Sequence, residues 1–176
     1  MLLGMLLLAL ITWWAGSMGI VFSAGNILMF VGFLAIANAI LFWIQRRSIM
    51  LEIRSRWKYL LIVEAVTLAF FLLFLFVRVN NPDLWHPYKG GEKPMDFSYF
   101  NAILKSTTFP PYDPWFAGGY INYYYYGFVL VGVPVKLLGI IPAIAYNLII
   151  PTLFSFLCMG FFSVVWNLIS AWKGEK

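Results

Sequence analysis

The chain has 176 residues, of which 62% are hydrophobic and 11% charged, with a mean hydropathy of +0.85. Soluble domains carry about a quarter charged residues and about half apolar ones, so the composition excludes a cytosolic enzyme, a disordered tail and a disulfide-rich secreted module. The single cysteine, Cys158, cannot form an internal bridge. The net charge of +5 sits between apolar runs, which makes it a topology signal and argues against a nucleic-acid partner.

Residues 1–22 form an apolar run without a positive n-region or a small-residue cleavage site, so the run reads as a membrane span and not as a signal peptide. The turn Ser23-Ala24-Gly25-Asn26 separates it from a second run, residues 27–44. Residues 45–58 hold Arg46, Arg47, Arg54, Arg56 and Lys58, five of the twelve positive residues, against the single acid Glu52. Positive residues in short loops mark the cytoplasmic side, so this loop and the N-terminus are expected inside. Residues 59–77 then cross outward, carrying Glu64 as a secondary candidate and ending at Arg78.

Residues 80–122 are the one long polar segment, with three lysines against four acids, and are expected to be extracytoplasmic. Residues 123–138 return inward, with Pro134 kinking the span and Lys136 near its cytoplasmic end. Residues 143–172 cross again, with Pro151 inside, leaving the C-terminus outside. The expected architecture is an all-α polytopic protein of the cytoplasmic membrane. It forms a single transmembrane domain of about five helices, with one long outer loop containing a short amphipathic surface helix.

That loop is rich in Trp, Tyr, Phe and Pro, unlike disordered segments, and a loop of this length calls for a function. Within it, Phe97, Phe100 and Leu104 recur at helical spacing, as do Tyr99 and Ile103, which predicts an amphipathic helix on the outer membrane surface. Asp96 and Asp113 have two readings. As a functional pair they would face a polar pocket and bind a metal or accept a proton from a hydroxyl. As structural residues Asp96 caps the helix, and Asp113 caps a turn whose first helical residue is Pro114.

His86 is the one histidine, so a His-rich metal site is excluded, and it reads as an interfacial loop residue or a substrate contact. Lys93 and Lys105 could bind phosphate or be plain solvated lysines. The run Tyr123, Tyr124, Tyr125, Tyr126 cannot face one ligand if helical, since successive residues point about 100° apart. It reads as an aromatic belt, with some hydroxyls, beside Asn122, lining a polar cleft.

Four ordered motifs carry a resemblance: Asn81-Pro82-Asp83-Leu84-Trp85; Glu92-Lys93-Pro94-Met95-Asp96-Phe97; Phe109-Pro110-Pro111-Tyr112-Asp113-Pro114-Trp115-Phe116-Ala117-Gly118; and Ile121-Asn122 through the tyrosine run to Gly127. Together they resemble the YYY family of uncharacterised prokaryotic polytopic membrane proteins. Its members are longer, so the resemblance implies that this chain is an N-terminal fragment. The family is similar to the glycosyltransferase C superfamily, whose members transfer sugars from polyprenyl-phosphate carriers using acids in the first large outer loop.

That similarity implies a glycosyltransferase acting at the outer face of the membrane, with a polyprenyl-phosphate-linked sugar and membrane lipids as partners. Asp96 would be the base or metal-contacting acid and Asp113 the second acid, while Lys93, Lys105 or Arg78 would balance the lipid phosphate. His86, Asn122 and the four tyrosines complete the candidate substrate site. The cofactor is left open; a divalent metal ion held by Asp96 and Asp113 is the one these acids suit. The rival reading is a non-catalytic scaffold, a glycan- or lipid-binding protein, or a transporter component.

Overall fold

The computed structural model describes residues 2–81 and 93–174. Among these residues the ordered elements are the helices α1 (Leu2–Ser17), α2 (Ala24–Asn80), α3 (Lys93–Lys105), α4 (Tyr125–Leu138) and α5 (Pro142–Trp172). The chain divides into two compact units, one of Met1–Ile40 with Asp83–Tyr146, the other of Leu41–Pro82 with Asn147–Lys176. Large apolar side chains such as Leu3, Phe33, Trp43, Leu73, Phe161 and Leu168 stand more than half exposed, as a lipid-bathed surface requires. Of the described helices, α2 and α5 are long and apolar enough to cross a bilayer, while α1 and α4 are shorter apolar helices.

The 57 residues of α2 take in both of the runs expected as spans 27–44 and 59–77, and residues 45–58 between them are helical, not a loop. The composition explains this. α2 contains no proline, its glycines Gly25 and Gly32 lie near its start, and residues 45–58 are mostly strong helix formers such as Arg, Leu, Met and Glu. At about 1.5 Å per residue the helix amounts to roughly 85 Å, far more than one crossing of a roughly 30 Å hydrocarbon core.

In the first unit α1 stops at Ser17, short of the expected residue 22. Gly19 takes φ +90°, the left-handed conformation that glycine adopts without Cβ strain. The Ile20 amide donates to the Ala15 carbonyl at 2.9 Å and the Gly19 amide to Gly16 at 3.2 Å, closing the helix C-terminus. The chain leaving α1 then pairs with the loop after α3: Phe22 N–H donates to Thr107 O at 2.6 Å and Phe109 N–H to Gly16 O at 3.1 Å. Ala9, Phe22, Ile27, Ile103, Phe109, Val129 and Val133 close into the core of this unit.

The helix α3 begins at Lys93, three residues before Asp96, so Asp96 lies in its first turn and is not its N-cap. A carboxylate there still complements the positive end of the helix dipole. Tyr99, Phe100 and Ile103 are buried, so the apolar side expected to lie on lipid is covered by protein. Its main neighbour is α4. The Tyr99 and Phe128 rings are 6.3 Å apart, and a Cβ on Gly132 would stand 3.2 Å from Ile103 Cγ2. Further along, Lys136 Nζ donates to Leu104 O at 3.0 Å and to Ser106 O at 2.9 Å. Residue numbers rise together along both helices, so α3 and α4 run parallel in one layer.

α4 has 14 residues, about 21 Å of helix against a hydrocarbon core of roughly 30 Å. Lys136, expected near the cytoplasmic end of a span, instead supplies an ammonium to carbonyls at the C-terminus of the loop helix α3, where a cation complements the dipole.

The second unit corrects the placement of the C-terminus. Tyr59 packs on Trp166 with centroids 5.4 Å apart, while Phe70 and Phe74 pack on Phe154 at 6.0 and 4.8 Å. The later part of α2 and α5 are therefore antiparallel. The end of α5 lies at the same end of this unit as the basic residues before Tyr59, not at the opposite one.

Candidate functional site

After α3 the chain forms a narrow loop whose ends meet. Asp113 N–H donates to Gly119 O at 2.9 Å, Ile121 N–H donates to Pro111 O at 2.9 Å, and Tyr112 and Tyr120 form an antiparallel bridge. Gly118, at φ +80°, makes the bend that returns the chain, a conformation costly for a residue with a Cβ. The Tyr112 and Tyr120 rings stack with centroids 4.9 Å apart and planes 20° from parallel. The loop is fastened to α3 by Trp115, whose Nε1–H donates to Ser98 Oγ at 2.7 Å.

Asp113 is held at this point. Its Oδ1 accepts the Trp115 amide at 2.8 Å, two residues on, the short side-chain-to-backbone bond that Asp makes in turns. No helix starts at Pro114, so the local bond exists without the helix expected after it. Beside Asp113 opens a cavity of about 340 Å³, lined also by Lys105, Thr107, Thr108, Tyr112 and Tyr120.

The surrounding phenols sense this environment. Tyr99 on α3 has its pKa raised above 10.0, first by burial, then by the negative charges of Asp113 and Tyr123. Tyr120 is also raised, first by hydrogen bonding with the Tyr112 hydroxyl, then by the charge of Tyr112, then by burial. Both phenols are neutral near pH 7 and can donate as well as accept.

Two stacked rings, one carboxylate, one ammonium and two threonine hydroxyls suit a sugar. The C–H face of a pyranose lies on aromatic rings, and its hydroxyls pair with a carboxylate and with neutral hydroxyls. Of the divalent ions, calcium takes about six to eight oxygen ligands and magnesium one or two carboxylates with waters and substrate phosphates; among the described residues this cavity offers one carboxylate beside a lysine. Among the described residues no three His, Cys, Asp or Glu side chains come together.

The other expected residues are dispersed. Asp96 is half-buried in the first turn of α3 and does not line the cavity. Lys93 is the first residue of α3, and Lys105 the last. His86 lies outside the described residues. Arg78, 9% exposed near the end of α2, belongs to the second unit; its Nη1 donates to Asn81 O at 3.2 Å. Glu64 is exposed on α2.

The tyrosine run divides into two pairs. Tyr123 and Tyr124 precede α4 and are exposed, with rings 4.2 Å apart, and Tyr124 takes φ 46° at the N-cap. Tyr125 and Tyr126 serve packing: Trp13 Nε1–H donates to Tyr125 Oη at 2.9 Å, and Tyr126 meets the Trp13 ring edge-on at 5.5 Å. Asn122 is exposed just ahead of the run.

Residues 7–175 match the uncharacterized membrane protein family DUF2298. The chain belongs to this family. No curated protein and no solved structure matches it.

For this DUF2298 chain, sequence reasoning overlooked Tyr112, Tyr120, Thr107 and Thr108 as site residues. A signal was present. Tyr112 and Tyr120 flank a segment containing Asp113, Pro114 and Gly118-Gly119, and a turn of that composition brings its two ends, and hence two rings, together.

Proposed function

We propose that this DUF2298 protein handles a sugar at the outer membrane surface, as a glycosyltransferase drawing on a polyprenyl-phosphate-linked donor. The observation that carries the reading is the Asp113 cavity with its stacked Tyr112 and Tyr120 rings and Lys105. In the proposed step, Asp113 takes the proton of an acceptor hydroxyl while that oxygen bonds to the anomeric carbon. The carbon–oxygen bond to the lipid phosphate breaks, and its electron pair leaves with the polyprenyl phosphate. Lys105 offsets the charge of the leaving phosphate, and the exposed Tyr123, Tyr124 and Asn122 provide further surface for the donor. Asp96 is assigned to shaping the start of α3, and Lys93 and His86 remain candidates for the phosphate.

A second reading, sugar binding without transfer, is favoured by two specific features. Asp96, the second acid the chemistry would use, is absent from the lining of the cavity, and Oδ1 of Asp113 is engaged by the Trp115 amide.

Transfer from radiolabelled polyprenyl-phosphate glucose and mannose to membrane glycans, compared between wild type, Asp113→Asn and Asp96→Asn, tests the reading. Transfer that falls at least a hundredfold in Asp113→Asn, at unchanged expression, supports catalysis. Equal transfer by wild type and Asp113→Asn overturns it. Donor binding without any transfer establishes the second reading.

A further inference from the structure

The second unit holds a cavity of its own, independent of the sugar reading. Its volume is about 690 Å³, and Arg56 and Lys58 of α2 and Asn167 and Ser170 of α5 line it. The packed rings of Tyr59 and Trp166, 5.4 Å apart, also line it. It opens where the basic stretch of α2 gives way to the apolar one. We propose that it is a binding site for the phosphate headgroup of an anionic phospholipid.

Three observations support that occupant. The first is charge. Residues 45–58 carry five cations and one acid. Glu52 pairs with Arg56 only at 3.8 Å with both side chains more than half exposed, so its hold on the guanidinium is weak. Lys58 sits 5.8 Å above the Trp57 ring and lines the cavity beside Arg56.

The second is polarity. Asn167 donates its amide to Ser163 O at 2.7 Å, and this fixes the side chain beside the cavity with its carbonyl oxygen and the Ser170 hydroxyl available to a headgroup glycerol. The third is position. Immediately past Tyr59 and Trp166 the two helices present exposed Leu60, Leu61, Leu157 and Phe161, a surface for acyl chains. Tyr and Trp pairs of this kind sit at the boundary between headgroups and hydrocarbon, and basic pockets between transmembrane helices take anionic headgroups. A free phosphate uses the cations but not the adjoining apolar surface, so the apolar neighbours select the lipid.

The test is native mass spectrometry of the chain in a neutral detergent, titrated with phosphatidylglycerol or phosphatidylcholine. Wild type is expected to retain phosphatidylglycerol in preference to phosphatidylcholine. Arg56→Gln/Lys58→Gln removes both cations that line the cavity and should weaken phosphatidylglycerol about thirtyfold. Arg46→Gln/Arg47→Gln, outside the cavity, should change it less than about twofold if both variants stay helical by circular dichroism. Glu52→Gln, which frees Arg56, should bind at least as well as wild type. Equal losses in the two double variants would reduce the effect to diffuse charge and overturn the site. So would phosphatidylglycerol displaced by an equimolar amount of inorganic phosphate, because the acyl chains would then contribute nothing.

Discussion

Lys136→Met removes the ammonium that bridges the C-terminus of α3 while keeping an unbranched apolar stem. The ammonium donates to Leu104 O at 3.0 Å and Ser106 O at 2.9 Å and stands 4.2 Å above the Phe22 ring. Hydrogen bonds involving a charged group contribute about 1.5–3 kcal/mol each, so two of them amount to about 3–6 kcal/mol. Lys136 is only partly buried, and methionine retains contact with the ring, so the lower part of that range applies, about 3 kcal/mol. Lys136→Arg preserves the charge and should lose less than about half of that. The assay is denaturant unfolding in mixed micelles followed by circular dichroism. If Lys136→Met were within about 0.5 kcal/mol of wild type, the parallel pairing of α3 with α4 could not depend on this bridge.

Gly16→Ala should cost about 1–3 kcal/mol through overpacking, because its Cβ would lie 2.5 Å from Cδ2 of the buried Phe109; adding Phe109→Leu should recover part of the loss in the same unfolding assay. Stability should fall as pH rises past 10.0, because Tyr99 binds its proton more tightly folded than unfolded. Its contribution is complete below the unfolded value and is lost as pH climbs through the raised one. Tyr99→Phe should flatten that alkaline decline in a pH series of melting curves. In a Cys158→Ser background, Ser48→Cys and Lys173→Cys should react with a membrane-impermeant maleimide from the same side, and labelling from opposite sides would contradict the antiparallel pairing of α2 and α5.

Much of the helical content was legible, because each helix is a run of apolar residues bounded by recognisable punctuation. Gly139 stops α4 where the run 123–138 was expected to end, whereas Gly19 turns the chain after Ser17, ahead of the expected residue 22. Hydropathy could not distinguish a span from an apolar helix that packs on protein. Residues 125–138 are as apolar as a crossing segment, and Phe128 against Tyr99, Gly132 against Ile103 and Lys136 against the end of α3 reveal that α4 packs along α3.

The basic stretch was read as a loop because charge marks where a membrane ends. Charge does not break a helix, and α2 continues through it. At the candidate site, the local bond of Asp113 follows from its neighbours in sequence. The pairing of Tyr112 with Tyr120 and the separation of Asp96 from the cavity depend on a loop closure that residue types alone leave open. The tyrosine run shows the same limit, since its division between exposed and packed residues is set by where α4 begins, at Tyr125.

The cavity beside Asp113 is proposed to accept a sugar. Saturation-transfer NMR with polyprenyl-phosphate glucose and mannose on the purified chain measures this directly, using wild type and Tyr112→Ala/Tyr120→Ala. Transfer to the sugar ring protons in wild type, reduced at least about tenfold in the double variant, is the expected result, since each stacked ring contributes about 0.5–1.5 kcal/mol. Equal transfer in both proteins, or transfer confined to the lipid chain, would contradict it.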